Sequence, residues 1–483
     1  MAFTRLTFAL FFALVFSLYW GIRKRTPQNI LLLIASYIFY ASWDYRFCFL
    51  ILTNSLVDYS VGLGLTKAKR PGLRRALLGI SLVFNLGLLG FFKYSNFFVE
   101  NLQTLLTSVG WRASLPMLKI LLPVGISFYT FKTLSYTIDV YRRQMKATPY
   151  LIEYLAYVSF FPQLLAGPID RAARLLPQFL APRKFNYQVA VDGCRQILLG
   201  FFKKMVLADN LLLVVASAYS SPETATGPQL GLATICFAFQ IYLDFSAYSD
   251  IAIGLARLLG FDSMRNFAYP YFSQTMAEFW RKWHISLITW FRDYIYFSLP
   301  GVRGTRLRRA FNVVITFILS GLWHGASWNF LVWGGINGIA ILPEMFRKKK
   351  KNVRVEGKRL PSPKMLLRIL RTFAMTCLAW VFFRAQTLSH ALMILKKFIF
   401  DIWSVAAYRS LTMTLAASPV GGRIFLFLAV FICVEWLQRH YEHPLALDFW
   451  PKPIRWAVYT GMLWMILRYS PTTVSGDFIY FKF

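Results

Sequence analysis

Acidic residues are scarce in this chain. There are 21 Asp and Glu against 54 Lys and Arg in 483 residues, a formal net charge of +33. Only 16% of positions carry charge, against about 25% in ordinary globular domains. No long polar stretch is present that could form a separate soluble domain, so the positive charge has no domain with which to grip nucleic acid. The five cysteines, Cys48, Cys194, Cys236, Cys377 and Cys433, stand alone, and none forms a Cys-x-x-Cys pair of the kind used in zinc or redox sites. Neither a Gly-x-Ser-x-Gly elbow nor a Gly-x-x-x-x-Gly-Lys phosphate loop occurs, which argues against a serine hydrolase or a P-loop ATPase.

What fills the space is oil. Hydrophobic residues make up 57% of the chain and aromatic residues 18%. Apolar runs alternate with short basic segments: 23–25, 67–75, 171–184, 303–309 and 347–359. A bilayer core takes about 20 apolar residues per helical crossing, and on that ruler the chain is an all-α polytopic membrane protein with roughly 10–13 transmembrane or re-entrant segments. The first four crossings are read at 6–22, 29–43, 47–65 and 76–92, with the first kept as a helix rather than cleaved as a signal peptide. Basic loops face the cytoplasm, which places the N-terminus outside it. The segment 94–108 reads as amphipathic and interfacial. Eight basic residues against one acid between Arg347 and Arg359 mark a cytoplasmic loop at 347–364, dividing a body at 1–346 from a C-terminal helical group at 365–483.

Several interior stretches are too polar or too broken for plain spans. Lys132 and Asp139 fall at or near membrane depth, where polar side chains line a bundle interior unless they snorkel to the interface. Pro162, Gly167 and Pro168 break the short run from Tyr154, as in a re-entrant segment. Asp244 and Asp250, six apart, lie on different faces of one helix, which favours hydrogen bonding to neighbouring helices over a shared acid/base pair.

The oddest stretch is Glu278 to Tyr296, with three tryptophans, His284 and a cluster of charges. Taken as one helix over 277–296, it puts Trp280, His284 and Phe291 near one face and pairs Glu278 with Lys282. A second histidine, His324, ends the apolar run from Phe311, between Gly321 and Gly325, with Gly334, Gly335 and Gly338 suited to close helix packing. An imidazole in so apolar a place favours the neutral form, which can take a proton from a hydroxyl. Each of these histidines follows a tryptophan, and the chain has only five in all. Their plain alternative is to satisfy a buried hydrogen bond. His390, His440 and His443 read as ordinary. Two well-separated histidines make a poor cage for a metal, and none is assigned.

These pieces resemble the membrane-bound O-acyltransferase (MBOAT) family, in its bacterial alginate O-acetyltransferase-like branch. The matching residues are 122–129, 159–163 with 166–168, 244–254, 266–270, 278–286, 289–294 and 321–325, followed by the closing 478–483, where Lys482 replaces the more usual glutamine. The resemblance implies helices around a central tunnel, with His324 as the catalytic histidine and His284 as the second functional position. It implies an acyl thioester, acetyl-CoA by expectation, entering from the cytoplasm. On the far side it implies a polysaccharide hydroxyl or a secreted acyltransferase- or esterase-like relay protein as acceptor, across the inner membrane of a bacterium. Arg281, Lys282, Ser286, Asp293 and Trp323 are the candidate substrate contacts, although ordinary positive-inside placement is the preferred account of the cations. D-alanyl transfer from a carrier protein to teichoic acid stays open. So does a polysaccharide or lipid transporter, for which broken helices would also be suited.

Overall fold

The computed structural model describes residues 1–111, 115–118, 120–165, 167–346, 360–417, 422–471 and 478. The described residues are helical with no strand, and they gather into two compact units, 1–194 with 252–264 and 195–251 with 265–483. Most of the expected dividing loop at 347–364 lies outside the described residues, as does Lys482. Four helices among the described residues are long and apolar enough to cross a bilayer: Arg46–Lys67, Pro71–Ser108, Gly227–Leu258 and Pro363–Arg384. The remaining helices are shorter or more polar than the ~20-residue ruler assumes.

In the first unit, Ile126–Tyr141 is the central element, with nearly every side chain buried. Gly125 begins it in the left-handed region, φ 81°, where the carbonyl of Leu164 leaves no room for a Cβ. Arg46–Lys67 and Pro71–Leu89 pack on this helix through a polar knot rather than through oil alone. Buried Asp58 accepts hydrogen bonds from Ser81, from Asn85 Nδ2 at 2.8 Å and from Thr137 Oγ1 at 3.1 Å. Lys132 is not a snorkelling residue: it is buried, donates to the Tyr157 carbonyl at 3.1 Å and lies 5.1 Å from the centre of that ring. The run from Tyr154 folds as two short buried helices, Leu151–Ser159 and Phe161–Leu164. Helix Pro71–Leu89 continues through a wide π-type turn at Gly90–Tyr94 into Ser95–Ser108, so the stretch expected to lie apart at the interface prolongs a candidate span.

In the second unit, another π-type turn, Phe202–Ala208, leads into Asp209–Tyr219. Adjacent residues on a regular helix point about 100° apart. The wider turn nonetheless buries both Lys203 and Lys204, and each meets a carboxylate of Gly227–Leu258: Lys203 meets Asp250 at 2.8 Å and Lys204 meets Asp244 at 2.7 Å. The two aspartates thus face different partners, as their spacing requires, and the partners are cations.

Helices Arg306–His324 and Trp328–Phe346 form the tightest hairpin of this unit. A Cβ on Gly321 would lie 2.1 Å from the Phe330 carbonyl oxygen, and one on Gly334 would lie 2.3 Å from that of Phe317. Gly338 meets the Val314 backbone in the same way, whereas Gly335 has nothing within 4 Å and takes no part in the packing expected of it.

Candidate active site

The stretch around His284 is not one helix. Met276–Lys282 ends, His284 takes the left-handed conformation at φ 42° and ψ 54°, and Ile285–Trp290 begins on a new axis before a π-type turn at Phe291–Ile295. The shared face expected for Trp280, His284 and Phe291 is therefore lost. A left-handed conformation costs a non-glycine residue roughly 1–2 kcal/mol, so neighbouring bonds must hold it. Asn266 supplies them. Its carbonyl accepts from Ile285 N at 2.9 Å, and its side-chain Oδ1 accepts from Ser286 N at 3.3 Å and Ser286 Oγ at 2.9 Å.

Asn266 also orients the imidazole. Asn266 Nδ2 donates to Ser249 Oγ at 2.9 Å, which leaves Oδ1 as the acceptor facing His284 Nδ1 at 3.1 Å. The proton then sits on Nδ1, and Nε2 carries the lone pair. His284 lies outside the four long apolar helices, and its burial disfavours the protonated ring. Phe245 packs edge-on against it at 4.5 Å.

His324 is the last residue of Arg306–His324, and it is buried. Gly325 follows it because the Phe330 ring occupies the place a Cβ would need. The His324 ring meets Trp323 at 4.9 Å, Trp333 at 5.1 Å and Phe383 at 5.4 Å. Trp323 also lies 6.3 Å from the His284 ring. One indole thus has ring contacts with both histidines, which are 40 positions apart in the chain. Trp380 closes the enclosure, at 5.1 Å from Trp283 and 5.8 Å from Trp333.

Beyond Gly325 is a cavity of about 460 Å³, within the range of ordinary small-molecule sites. Lys204, Gln240, Asp244, Phe330, Phe383 and Arg384 are among its walls. Phe383 both lines this cavity and touches His324. The cavity's ionic wall is held together by Lys204 Nζ, which lies 2.7 Å from Asp244 and 2.9 Å from Asp209, all three being buried. Among the described residues no three His, Cys, Asp or Glu side chains converge on a point.

The other sequence candidates are more dispersed. Ser286 is buried and tied to Asn266, and Trp323 has ring contacts with both histidines. Lys282 Nζ pairs with Glu278 Oε1 at 2.7 Å, as the i, i+4 spacing foretold, Arg281 is exposed, and Asp293 pairs with Arg292 at 2.7 Å. Sequence reasoning missed Asn266, Gln240, Phe383 and Arg384. Asn266 was visible only as part of a recurring motif, and a lone Gln or Arg in an apolar run gives no periodic signal.

The MBOAT, membrane-bound O-acyltransferase family matches residues 98–377, more than half of the chain. The chain belongs to this family. It is a multi-pass membrane acyltransferase. It is similar to the probable alginate O-acetylase AlgI of Azotobacter vinelandii, 37% identical over 442 residues that cover 90% of this chain and 85% of the relative. The corresponding protein of Pseudomonas aeruginosa is 38% identical over 451 residues, covering 92% and 83%. The peptidoglycan O-acetyltransferase of Helicobacter pylori is 32% identical over 391 residues, 76% and 72%. The matched region spans both histidines of the site.

Proposed function

We propose that this acyltransferase moves an acetyl group from a cytoplasmic thioester, acetyl-CoA, to a hydroxyl of an exported polysaccharide, with His324 as general base. The observation that carries the reading is the setting of His324: a buried imidazole in an aromatic enclosure, sharing Phe383 with a cavity of about 460 Å³ and sharing Trp323 with a second, oriented imidazole. His324 takes the proton of the acceptor hydroxyl, and the oxygen attacks the thioester carbonyl. As the new C–O bond forms the C–S bond breaks, and the proton passes from His324 to the leaving thiolate. The products are an ester and a free thiol. His284 orients the donor.

The hairpin supports one assignment of sides. Gly325–Ser327 and Arg384 lie at the cavity, whereas Arg306 and the segment leading to 347–359 lie at the other ends of their helices. With basic ends toward the cytoplasm, the cavity opens on the outer side of a bacterial inner membrane, where a polymer or a secreted relay protein would meet it, and the N-terminus is also outside. On that assignment, Arg303–Arg309 and Arg281 attract the anionic donor.

The test is thiol release from acetyl-CoA by purified protein in detergent, with and without acceptor oligosaccharide, read alongside ester formation by mass spectrometry. His324→Ala should abolish both while the protein elutes and melts like the wild type. Undiminished ester formation in that variant would overturn the assignment. Release only from a D-alanyl carrier protein would favour the teichoic acid reading, and acceptor transport without thiol release would favour a transporter.

A further inference from the structure

Glu435 is a buried carboxyl that the mechanism above does not use. It lies near the end of Arg423–Leu437, 4% exposed, in the wall of an apolar cavity of about 730 Å³ shared with Phe239, Tyr271, Leu366 and Phe373. Among the described residues it has no ion pair, and its one hydrogen bond comes from Tyr242 Oη, which donates to Oε1 at 2.7 Å. Lys203 lies over the Tyr242 ring at 5.8 Å, but its ion pair is with Asp250. Burying an ionisable group in oil is costly, and an amide would accept the same bond at less cost. What a carboxylate adds is the shorter and stronger bond of a charged acceptor. Something at Tyr242 therefore has to be held firmly.

The Tyr242 ring lies 5.9 Å from Phe267 and 6.2 Å from Trp283. Phe267 directly follows Asn266, and Trp283 directly precedes His284. Those two rings meet at right angles, 5.2 Å apart, and Phe267 stacks on the His284 ring at 6.3 Å. Their backbones are laced as well: Ala268 N donates to Lys282 O and Ile285 N to Asn266 O, both at 2.9 Å. The left-handed corner at His284 is thus backed by an aromatic pair, with Tyr242 behind that pair. Tyr242, Phe245 and Ser249 follow the i, i+3, i+7 spacing of one helix face, and all three serve the corner. Phe245 packs on His284, Ser249 accepts from Asn266, and only Tyr242 is fixed from another helix. We infer that Glu435 is a positioning residue for His284, acting through Tyr242. Its carboxyl fixes the phenol, and the phenol fixes the Phe267–Trp283 pair that carries the corner; Glu435 itself touches no reacting atom. The inference rests on the acyl-transfer reading for its kinetic outcome, but the hold on His284 does not need the chemistry.

The experiment reads the imidazole directly. Full-length protein with isotope-labelled histidine is examined by NMR in detergent, and the His284 ring signals are assigned by their loss in His284→Gln. Tyr242→Phe deletes one oxygen and keeps the ring, Glu435→Leu deletes the acceptor, and Glu435→Gln keeps an acceptor in place. Tyr242→Phe and Glu435→Leu should each shift or broaden the His284 signals and leave those of His390 and His440 as they are. In thiol release from acetyl-CoA they should lower kcat roughly 10-fold with KM unchanged, the pattern of a misplaced group rather than a lost binding contact. Glu435→Gln should recover most of both readouts. Because the two residues act as one unit, Glu435→Leu combined with Tyr242→Phe should cost no more than either alone. Unmoved His284 signals in Tyr242→Phe, or a loss confined to the melting temperature with kcat intact, would overturn the inference and leave the pair a packing contact. Losses that multiply in the double variant would overturn it as well. Tyr242→Phe decides the matter where Glu435→Leu does not fold. If the His284 signals move as described but the wild type never releases thiol, the acyl-transfer reading fails and the positioning stands.

Discussion

Adding one methyl group at Gly334 should disable the enzyme without touching either histidine. The new Cβ would lie 2.3 Å from the Phe317 carbonyl oxygen, about 1 Å inside ordinary contact, with the Ile318 Cα at 3.0 Å behind it. Both obstacles are backbone, so no rotamer change relieves the clash and the two helices must part. Helix association in a bilayer rests on close packing rather than on a hydrophobic drive, so the separation removes what holds the pair. Overpacking of this kind costs about 1–3 kcal/mol. The functional cost is larger: Trp333, next to Gly334, packs on His324, and a shift of about 1 Å at a reacting group can cost on the order of 100-fold in rate. The assay is thiol release from acetyl-CoA with saturating acceptor, with unfolding followed by intrinsic fluorescence in detergent. Gly335→Ala is the control: nothing lies within 4 Å of its Cβ, so it should cost nothing and could gain several tenths of a kcal/mol in helix propensity. If Gly334→Ala melted and turned over like Gly335→Ala, the close-packed hairpin would not be what positions His324.

Two further outcomes follow from buried polar contacts. Asn266→Ala removes the acceptor of His284 Nδ1 and of Ser286, freeing the ring to rotate and change tautomer; kcat should fall about 10- to 100-fold, the usual cost of losing such a support, with partial recovery in Asn266→Asp. Lys204→Met leaves Asp209 and Asp244 buried without their cation, which should destabilise the fold by about 3–5 kcal/mol, seen as lower yield and melting temperature, with partial recovery when Asp244→Asn is added.

The composition and the ordered motifs made the helical membrane class and the family legible, because both depend on residue types that recur along the whole chain. The pairing of His284 with His324 was legible only as two Trp-His dipeptides. The indole that joins them belongs to the second dipeptide, but their proximity comes from tertiary packing that spacing cannot express. Periodicity failed at His284 itself: a regular helix was the simplest reading of 277–296, and the break is imposed by Asn266, eleven positions upstream of where the stretch begins. Nor was the burial of both Lys203 and Lys204 legible, because neighbours on a regular helix point about 100° apart and the wide turn that brings both inward leaves no periodic signal. Gly335 illustrates the converse, since a glycine pattern identifies small residues but not which of them meets a neighbour.

The wide turn at Phe202–Ala208 also sets a phase boundary in the chain. Positions before it and after it belong to two helical registers, so a cysteine-accessibility scan through 195–219 would not trace a single wave; its maxima would slip by part of a turn across the lysines. Removing one residue from this turn would let the two registers merge, and every inward position on one side would rotate away from the Gly227–Leu258 carboxylates together. A single deletion here would therefore act as a change of many contacts at once, out of proportion to the one side chain lost.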